Sequence, residues 1–279
     1  MSVGGVMENG WLFDHVGYHV VYDGSILEAV DYASRNGFSS VQLDLNLPKF
    51  FPEKYSSEHR RGISEEAQSK SVAITVHAPE LDLQSFHPGV LKAVTGRMVE
   101  VMDFAKDVGA KSMTVHPGPV QGFSLAGEAP TRITEMFPEL HRRLFGGVLE
   151  ELASHSGGCL FLCVENKEFT RGVMGVLEEV MRRFPLYLTW DLAKMYRHDG
   201  SVMGEVEAFF LGHLDWVREC HLHDVTGRGQ HQVVGTGCVD FGKHLSVLAD
   251  REVNFTVEVR PRELALESLG NLRKCLEAG

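Results

Sequence analysis

Eight short runs rich in Val, Leu, Ile, Phe, Thr and Tyr recur along the chain, each separated from the next by a stretch of helical periodicity. The runs are Val16–Val20, Ser40–Leu45, Ala73–His77, Ser112–His116, Leu160–Glu165, Leu186–Asp191, Glu219–Leu222 and Asn254–Val259. Such residues suit the pleated, packed surface of a strand. Between the runs, Ile26, Leu27, Val30 and Ala33 share one helical face, and Leu91, Val94, Met98, Val101, Met102 and Ala105 continue such a stripe over several turns. Gly37 and Gly109 stand where helices stop before the next strand. This alternation predicts an α/β fold, a parallel sheet closed into a (β/α)8 barrel, with an open doubly wound sheet as the alternative. A length of 279 residues suits one barrel. No linker or low-complexity tract interrupts it, so residues 1–279 read as a single domain with a core of about 16–264. The connection from Gly118 to Pro138, rich in Gly and Pro, is a candidate active-site loop.

A parallel strand buried on both faces should be nearly continuously apolar. Here each run contains, ends in or leads into a residue able to hold a metal or move a proton: His19, Asp44, His77, His116, Glu165, Asp191, His221 and Glu258. In a barrel those ends share the rim where barrel active sites sit. Carboxylates crowded there repel one another and lose solvent, and a divalent cation offsets both costs. Mixed His, Asp and Glu ligands suit zinc, manganese, cobalt or iron better than calcium or magnesium. Glu165, Asp191, His221 and Glu258, from four consecutive strands, are candidate ligands of one ion. His77 and His116, from the two preceding strands, would hold a second ion with Glu165 as the bridge. His19 and Asp44 would contact substrate or order the rim. His87, His141, His155, His198, His213 and His244 read as surface or capping residues of helices and loops.

The formal net charge of −11 argues against a nucleic-acid partner and against an anionic membrane surface. The five cysteines are odd in number and form no C-x-x-C pair, so neither a disulfide framework nor a zinc ribbon is expected. The Met1–Asn9 segment lacks the basic-then-apolar order of a signal peptide, and no apolar run is long enough for a bilayer. The expected compartment is cytoplasmic.

The segments V-H-A-P-E (Val76–Glu80), V-H-P-G (Val115–Gly118), V-E-N (Val164–Asn166), T-W-D-L-A-K (Thr189–Lys194), H-L-H-D (His221–Asp224) and V-E-V-R-P (Val257–Pro261) follow one another in a telling order. By that order and spacing the chain resembles the xylose isomerase-like TIM barrel superfamily from about Val16 to Leu264. That superfamily includes sugar isomerases and epimerases and the endonuclease IV type of abasic-site nuclease. The resemblance implies the barrel, a metal and the ligands Glu165, Asp191, His221 and Glu258. At His77 and His116 the chain resembles the nuclease branch, which uses a third metal. That metal takes a His where this chain has Lys194, and a D-x-H pair where it reads Gly229-Gln230-His231. One ligand of three remains, so a trinuclear phosphodiester centre is not expected. Sugar isomerases often carry a His at the Lys194 position too, so no known sugar specificity transfers directly.

The first functional expectation is a metal-dependent sugar or sugar-phosphate isomerase or epimerase acting by proton transfer next to a carbonyl. Glu165 and Glu258 would remove and return the proton, while Lys194, His231 and Arg260 would bind phosphate or hydroxyl groups. Arg260 reads equally well as a partner for rim carboxylates. The alternative is a two-metal hydrolase of a phosphoester or an amide, which His77 and His116 favour. A non-catalytic binding barrel is the third reading. The partner in the enzymatic readings is a small molecule, and barrels of this kind often pair into homo-oligomers.

Overall fold

The computed structural model describes residues 10–277 except 125, 128, 129 and 198, so Met1–Asn9 and His198 lie outside it. Eight parallel strands close into a barrel: β1 (Val16–Val20), β2 (Ser40–Asp44), β3 (Ala73–His77), β4 (Ser112–Val115), β5 (Phe161–Glu165), β6 (Leu186–Asp191), β7 (Val217–Leu222) and β8 (Asn254–Val257). Each pairs with its sequence neighbours, and β8 returns to β1 in the register Val16↔Phe255, Gly17↔Thr256 and Tyr18↔Val257. The closed barrel is the architecture the sequence predicts, and the open-sheet alternative is ruled out.

Eight helices follow the strands in turn: α1 (Ile26–Asn36), α2 (Ser57–Ser69), α3 (Pro88–Asp107), α4 (Pro138–Ser156), α5 (Arg171–Met181), α6 (Gly204–Gly212), α7 (Phe241–Ser246) and α8 (Arg262–Glu277). Their starts are written locally. The Ser25 and Thr170 hydroxyls accept from the backbone N–H groups of Glu28 and Val173, and the Asp240 carboxylate from Lys243. Helix α1 ends on Gly37 at φ +77°, a left-handed conformation glycine adopts without a Cβ clash. No described helix is long and apolar enough to cross a membrane.

Strand alternation divides the side chains between two environments. Val41, Leu43, Ile74, Val76, Met113, Val115, Leu188 and Trp190 are all buried in the apolar layer between sheet and helices. Trp190 stacks on Phe210 of α6 at 5.1 Å between centroids. The alternate positions, which face the barrel axis, are largely polar. Thr114 and Thr189 share a hydrogen bond of 2.8 Å across the interior. Below the rim, Glu219 accepts from Ser112 (2.8 Å), Thr256 (2.6 Å), Asn254 (3.1 Å) and Gln42 (3.4 Å). Burial pushes the Glu219 carboxyl up, and the His221 imidazole and the Thr256, Ser112 and Asn254 donors offset part of that. Gly17 is where β1 crosses tightly over β2: a Cβ there would lie 2.4 Å from the Ser40 carbonyl oxygen.

The described part of the Gly118–Pro138 connection contains short regular elements. It pairs Gly122–Phe123 with Thr131–Arg132 and then forms a short helix, Ile133–Met136. A second hairpin, Asp224–Thr226 with Gly229–Gln232, rises beyond β7. Two of the histidines expected at the surface are buried instead. His141 lies 2.9 Å from the Gln84 side-chain oxygen and His244 lies 3.0 Å from the Tyr196 hydroxyl, so both are satisfied within the core.

Candidate functional site

The eight rim residues converge. Glu165, at the end of β5, is fully buried, and three imidazoles surround its Oε2: His116 Nε2 at 2.9 Å, His77 Nε2 at 3.3 Å and His221 Nδ1 at 3.5 Å. His221 Nδ1 lies equally close, 3.5 Å, to Glu258 Oε1. Asp191 is held from behind: Asn166 accepts from its backbone N–H at 2.7 Å and donates to its carbonyl at 2.9 Å. Lys194, from the turn after β6, places its ammonium on Glu165 Oε1 and 3.0 Å from Asp191 Oδ2. His19 lies 3.5 Å from Asp44 and 3.8 Å from Glu258. His231, on the second hairpin, lies 3.7 Å from Glu258 Oε2. Arg260 points its guanidinium at His19. All six ligand candidates from the sequence are therefore neighbours, and the five substrate-binding candidates border them.

Burial sets the charges. It drives His19 down to about 3, His116 to about 2 and His231 to about 4, and lowers His77, so these rings are neutral near neutral pH. Burial lowers Lys194 as well. For Glu258 burial acts upward, but the imidazoles of His221 and His19 and the Lys194 ammonium outweigh it, and the carboxyl sits well below its ordinary range. Glu165, Asp191 and Glu258 are buried together beside the Lys194 ammonium, with the Arg260 guanidinium beyond His19.

Hydrogen-bond partners show which nitrogens could take an ion. His77 Nδ1 donates to the Ala78 carbonyl at 3.0 Å, leaving the Nε2 lone pair turned toward Glu165. A lone pair and a carboxylate oxygen facing one another without a proton fit a shared cation. His221 Nδ1 is buried with no hydrogen-bond partner among the described residues and lies between two carboxylates. Its Nε2 is 3.0 Å from the Gln42 amide, whose Oε1 is also unpartnered. If Nδ1 took an ion, Nε2 would carry the proton and the turned Gln42 amide would accept it. Two sets of donor atoms therefore fit a divalent ion: Glu165, Asp191, His221 with Glu258 close by, and His77, His116, Glu165.

A third cluster, His223, His231 and Glu258, is spatially compact but chemically different. His223 Nδ1 accepts the backbone N–H of His231 at 2.9 Å, so its proton lies on Nε2, which donates to Asp191 Oδ2 at 3.1 Å. Both nitrogens are engaged, and His223 orients a ligand candidate rather than serving as one. Sequence reading missed His223. The signal was its position two residues beyond His221, on the same face of the chain. Sequence reading also missed the interior pair Gln42 and Glu219, and Asp224. Asp224 accepts from the backbone N–H groups of Val225, Gly237 and Val239 at 2.8, 2.8 and 3.1 Å, which ties down the loop that carries His231.

Beside His116 a cavity of about 310 Å³ opens between Glu80, Leu81, Asp82, Pro119, Lys167 and neighbouring backbone. Lys167 bonds Glu80 at 2.9 Å and lies 3.4 Å from His116 Nδ1.

A family model described as "Xylose isomerase-like TIM barrel" matches residues 30–275. An uncharacterized protein of Methanocaldococcus jannaschii is 24% identical over 251 residues, which are 86% of this chain and 85% of that protein. Among solved structures, the fold is shared with 3-keto-D-glucoside 4-epimerase from E. coli in its apo form. That match has a TM-score of 0.68 and 14% identity, over 94% of this chain and 99% of the epimerase. It is shared too with a Thermus thermophilus protein soaked with zinc chloride, at TM-score 0.65 and 22% identity, over 95% of this chain and 99% of that one.

Proposed function

The chain belongs to the xylose isomerase-like TIM barrel family, and we propose that it is a metal-dependent isomerase or epimerase of a sugar or sugar phosphate. One observation carries the reading: His221 Nδ1, without a hydrogen-bond partner among the described residues, lies 3.5 Å from both Glu165 and Glu258 at a rim where Asp191 is buried too. The fold shared with a sugar epimerase supports the reaction class. The ion, zinc, manganese, cobalt or iron, would be held by Glu165, Asp191, His221 and Glu258. It would supply Lewis-acid polarisation of a substrate carbonyl and its neighbouring hydroxyl.

The chain's own groups do the rest. Glu165 and Glu258 approach the site from strands three apart. One removes the proton from the carbon next to the carbonyl, and it or the other returns a proton. Return to the same carbon on the opposite face epimerises, and return to the neighbouring carbon isomerises. Lys194 adds positive charge beside Glu165 as the enediolate develops. His19, Asp44, His231 and Arg260 border the space where the substrate's oxygens would lie. Elemental analysis of metal per chain tests the centre, and a ketose panel with Glu165→Gln tests the chemistry. Loss of metal in Glu165→Ala and loss of interconversion in Glu165→Gln are expected. Full isomerase activity in Glu165→Gln would refute the role of Glu165.

A second reading has a specific observation behind it. His77 and His116 both aim Nε2 at Glu165 Oε2, a second donor set that one-ion isomerase chemistry does not require. Two ions sharing Glu165 would suit hydrolysis of a phosphoester or an amide. Two metals per chain, one lost in His77→Ala, together with hydrolysis and no ketose interconversion, would favour it.

A further inference from the structure

Glu258 lies between two imidazoles of opposite polarity. His19 Nδ1 is 3.8 Å from its Oε1 and His231 Nδ1 is 3.7 Å from its Oε2. In each ring the outside partner decides which nitrogen carries the proton.

Arg260 directs Nε and Nη2 at His19 Nδ1, at 3.2 and 2.6 Å. A guanidinium offers only donors, so Nδ1 accepts and the proton of the neutral ring lies on Nε2. That Nε2 makes no hydrogen bond among the described residues, although the Asp44 carboxylate lies 3.5 Å from it, and the residue is only 4% exposed. A buried donor without a hydrogen bond is costly, and a ligand acceptor would relieve that cost. Its ring lies beside that of His77, 5.7 Å between centroids.

His231 is the converse. Its Nδ1 lies 3.1 Å from the main-chain carbonyl of Glu258. A carbonyl oxygen only accepts, so Nδ1 carries the proton and Nε2 keeps a lone pair. The ring is fixed in place. It stacks on His223 at 4.3 Å between centroids, and its backbone N–H is bound by His223. Its φ of +58° is a left-handed angle uncommon outside glycine, of the kind that persists where the surroundings over-determine it.

We propose that His19 and His231 form a polarity pair that reads an α-hydroxycarbonyl compound. His19 Nε2–H donates to the carbonyl oxygen, which can only accept, and His231 Nε2 accepts from the hydroxyl on the adjacent carbon. Arg260 is a positioning residue that keeps the His19 proton on the substrate side. This assignment rests on the isomerase or epimerase reading and adds the sense in which the substrate is oriented.

The test is long-range 1H–15N correlation on zinc-loaded, 15N-histidine-labelled protein, titrated with hydroxyacetone and with its O-methyl ether. The expected state has the His19 proton on Nε2 and the His231 proton on Nδ1. Hydroxyacetone should move both Nε2 resonances, and the ether, which lacks the hydroxyl proton, only that of His19. Arg260→Met should leave His19 in mixed tautomers and weaken hydroxyacetone binding about tenfold at unchanged zinc content. Arg260→Lys, which keeps a donor, should restore the Nε2–H tautomer.

A His19 proton on Nδ1, zinc on His231 Nε2, equal responses to the two probes or no response to either would overturn the pair. So would a folded Arg260→Met protein with the tautomer and affinity of the parent. The two readings fail separately. The expected tautomers and probe responses without interconversion of any ketose would remove the isomerase reading alone. Interconversion with the His19 proton on Nδ1 would remove only the pair.

Discussion

His77 Nε2 faces Glu165 Oε2 across 3.3 Å with its lone pair, because the proton of that ring is committed to the Ala78 carbonyl. A cation shared by the two atoms would relieve the repulsion between them. His77→Ala should therefore lower the number of zinc or manganese ions retained through dialysis if the His77, His116 and Glu165 set is filled and leave it unchanged if only the other set is, and Glu165→Ala should abolish retention in both cases. Elemental analysis reads both. Retention by the Glu165→Ala protein equal to the parent would contradict the shared-ligand arrangement.

His223 ties the Asp191 carboxylate to the backbone of His231, so it should act on metal affinity without touching the metal. Partners of this kind typically change affinity about 10–100-fold. His223→Ala is expected to weaken zinc binding by about that factor in competition with a chromophoric chelator. Unchanged affinity in a folded variant would reduce His223 to a packing role.

These residues mark how far the sequence carries. The eight strands, their order and the eight polar ends were legible because a closed parallel barrel needs a repeating unit, and the repeat is visible. The boundaries of β1, β3 and β6 agree with the structure at both ends, and those of β2, β4 and β5 differ at one end by a single residue. The polar interior was equally present, in Ser112-Met113-Thr114, Glu219-Cys220-His221 and Asn254-Phe255-Thr256, but only the last polar residue of each strand was read. Proton positions were not legible at all. They depend on Arg260 meeting His19 and on the Glu258 carbonyl meeting His231, contacts that span the closure of the barrel or the hairpin.

Glu219 gives a pH dependence with a definite sign. Its folded pKa is raised above the usual carboxyl value, by burial first. Its contribution to stability is complete below the unfolded pKa of about 4.3 and is lost as pH rises through the folded value. Glu219→Gln, which keeps the size and an acceptor, should therefore lose less stability between pH 5 and pH 8 than the parent. In thermal melts with excess chelator, we expect the variant to melt at least about 2 °C higher than the parent at pH 8, relative to pH 5. Parallel pH profiles would show that the carboxyl is not held neutral by the fold.

Gly17 admits no side chain, because a Cβ would meet the Ser40 carbonyl oxygen at 2.4 Å and its hydroxyl at 2.1 Å. Gly17→Ala should destabilise the barrel by about 1–3 kcal/mol in urea melts. Adding Ser40→Gly should not restore it, since the closer obstacle in the double variant is main chain. Recovery in the double variant would locate the clash in the hydroxyl instead.

The pairing of β8 with β1 has a consequence during biosynthesis. His77, His116, Glu165 and Asp191 are all translated before Glu258 and Arg260, and Glu219 gains its Thr256 and Asn254 donors only when β8 arrives. A nascent chain arrested before β8 carries a half-built ion trap and a buried carboxylate short of partners. Such a chain would present proteases with an open seam that the finished barrel lacks. Tight retention of the ion would then certify that translation reached the last strand.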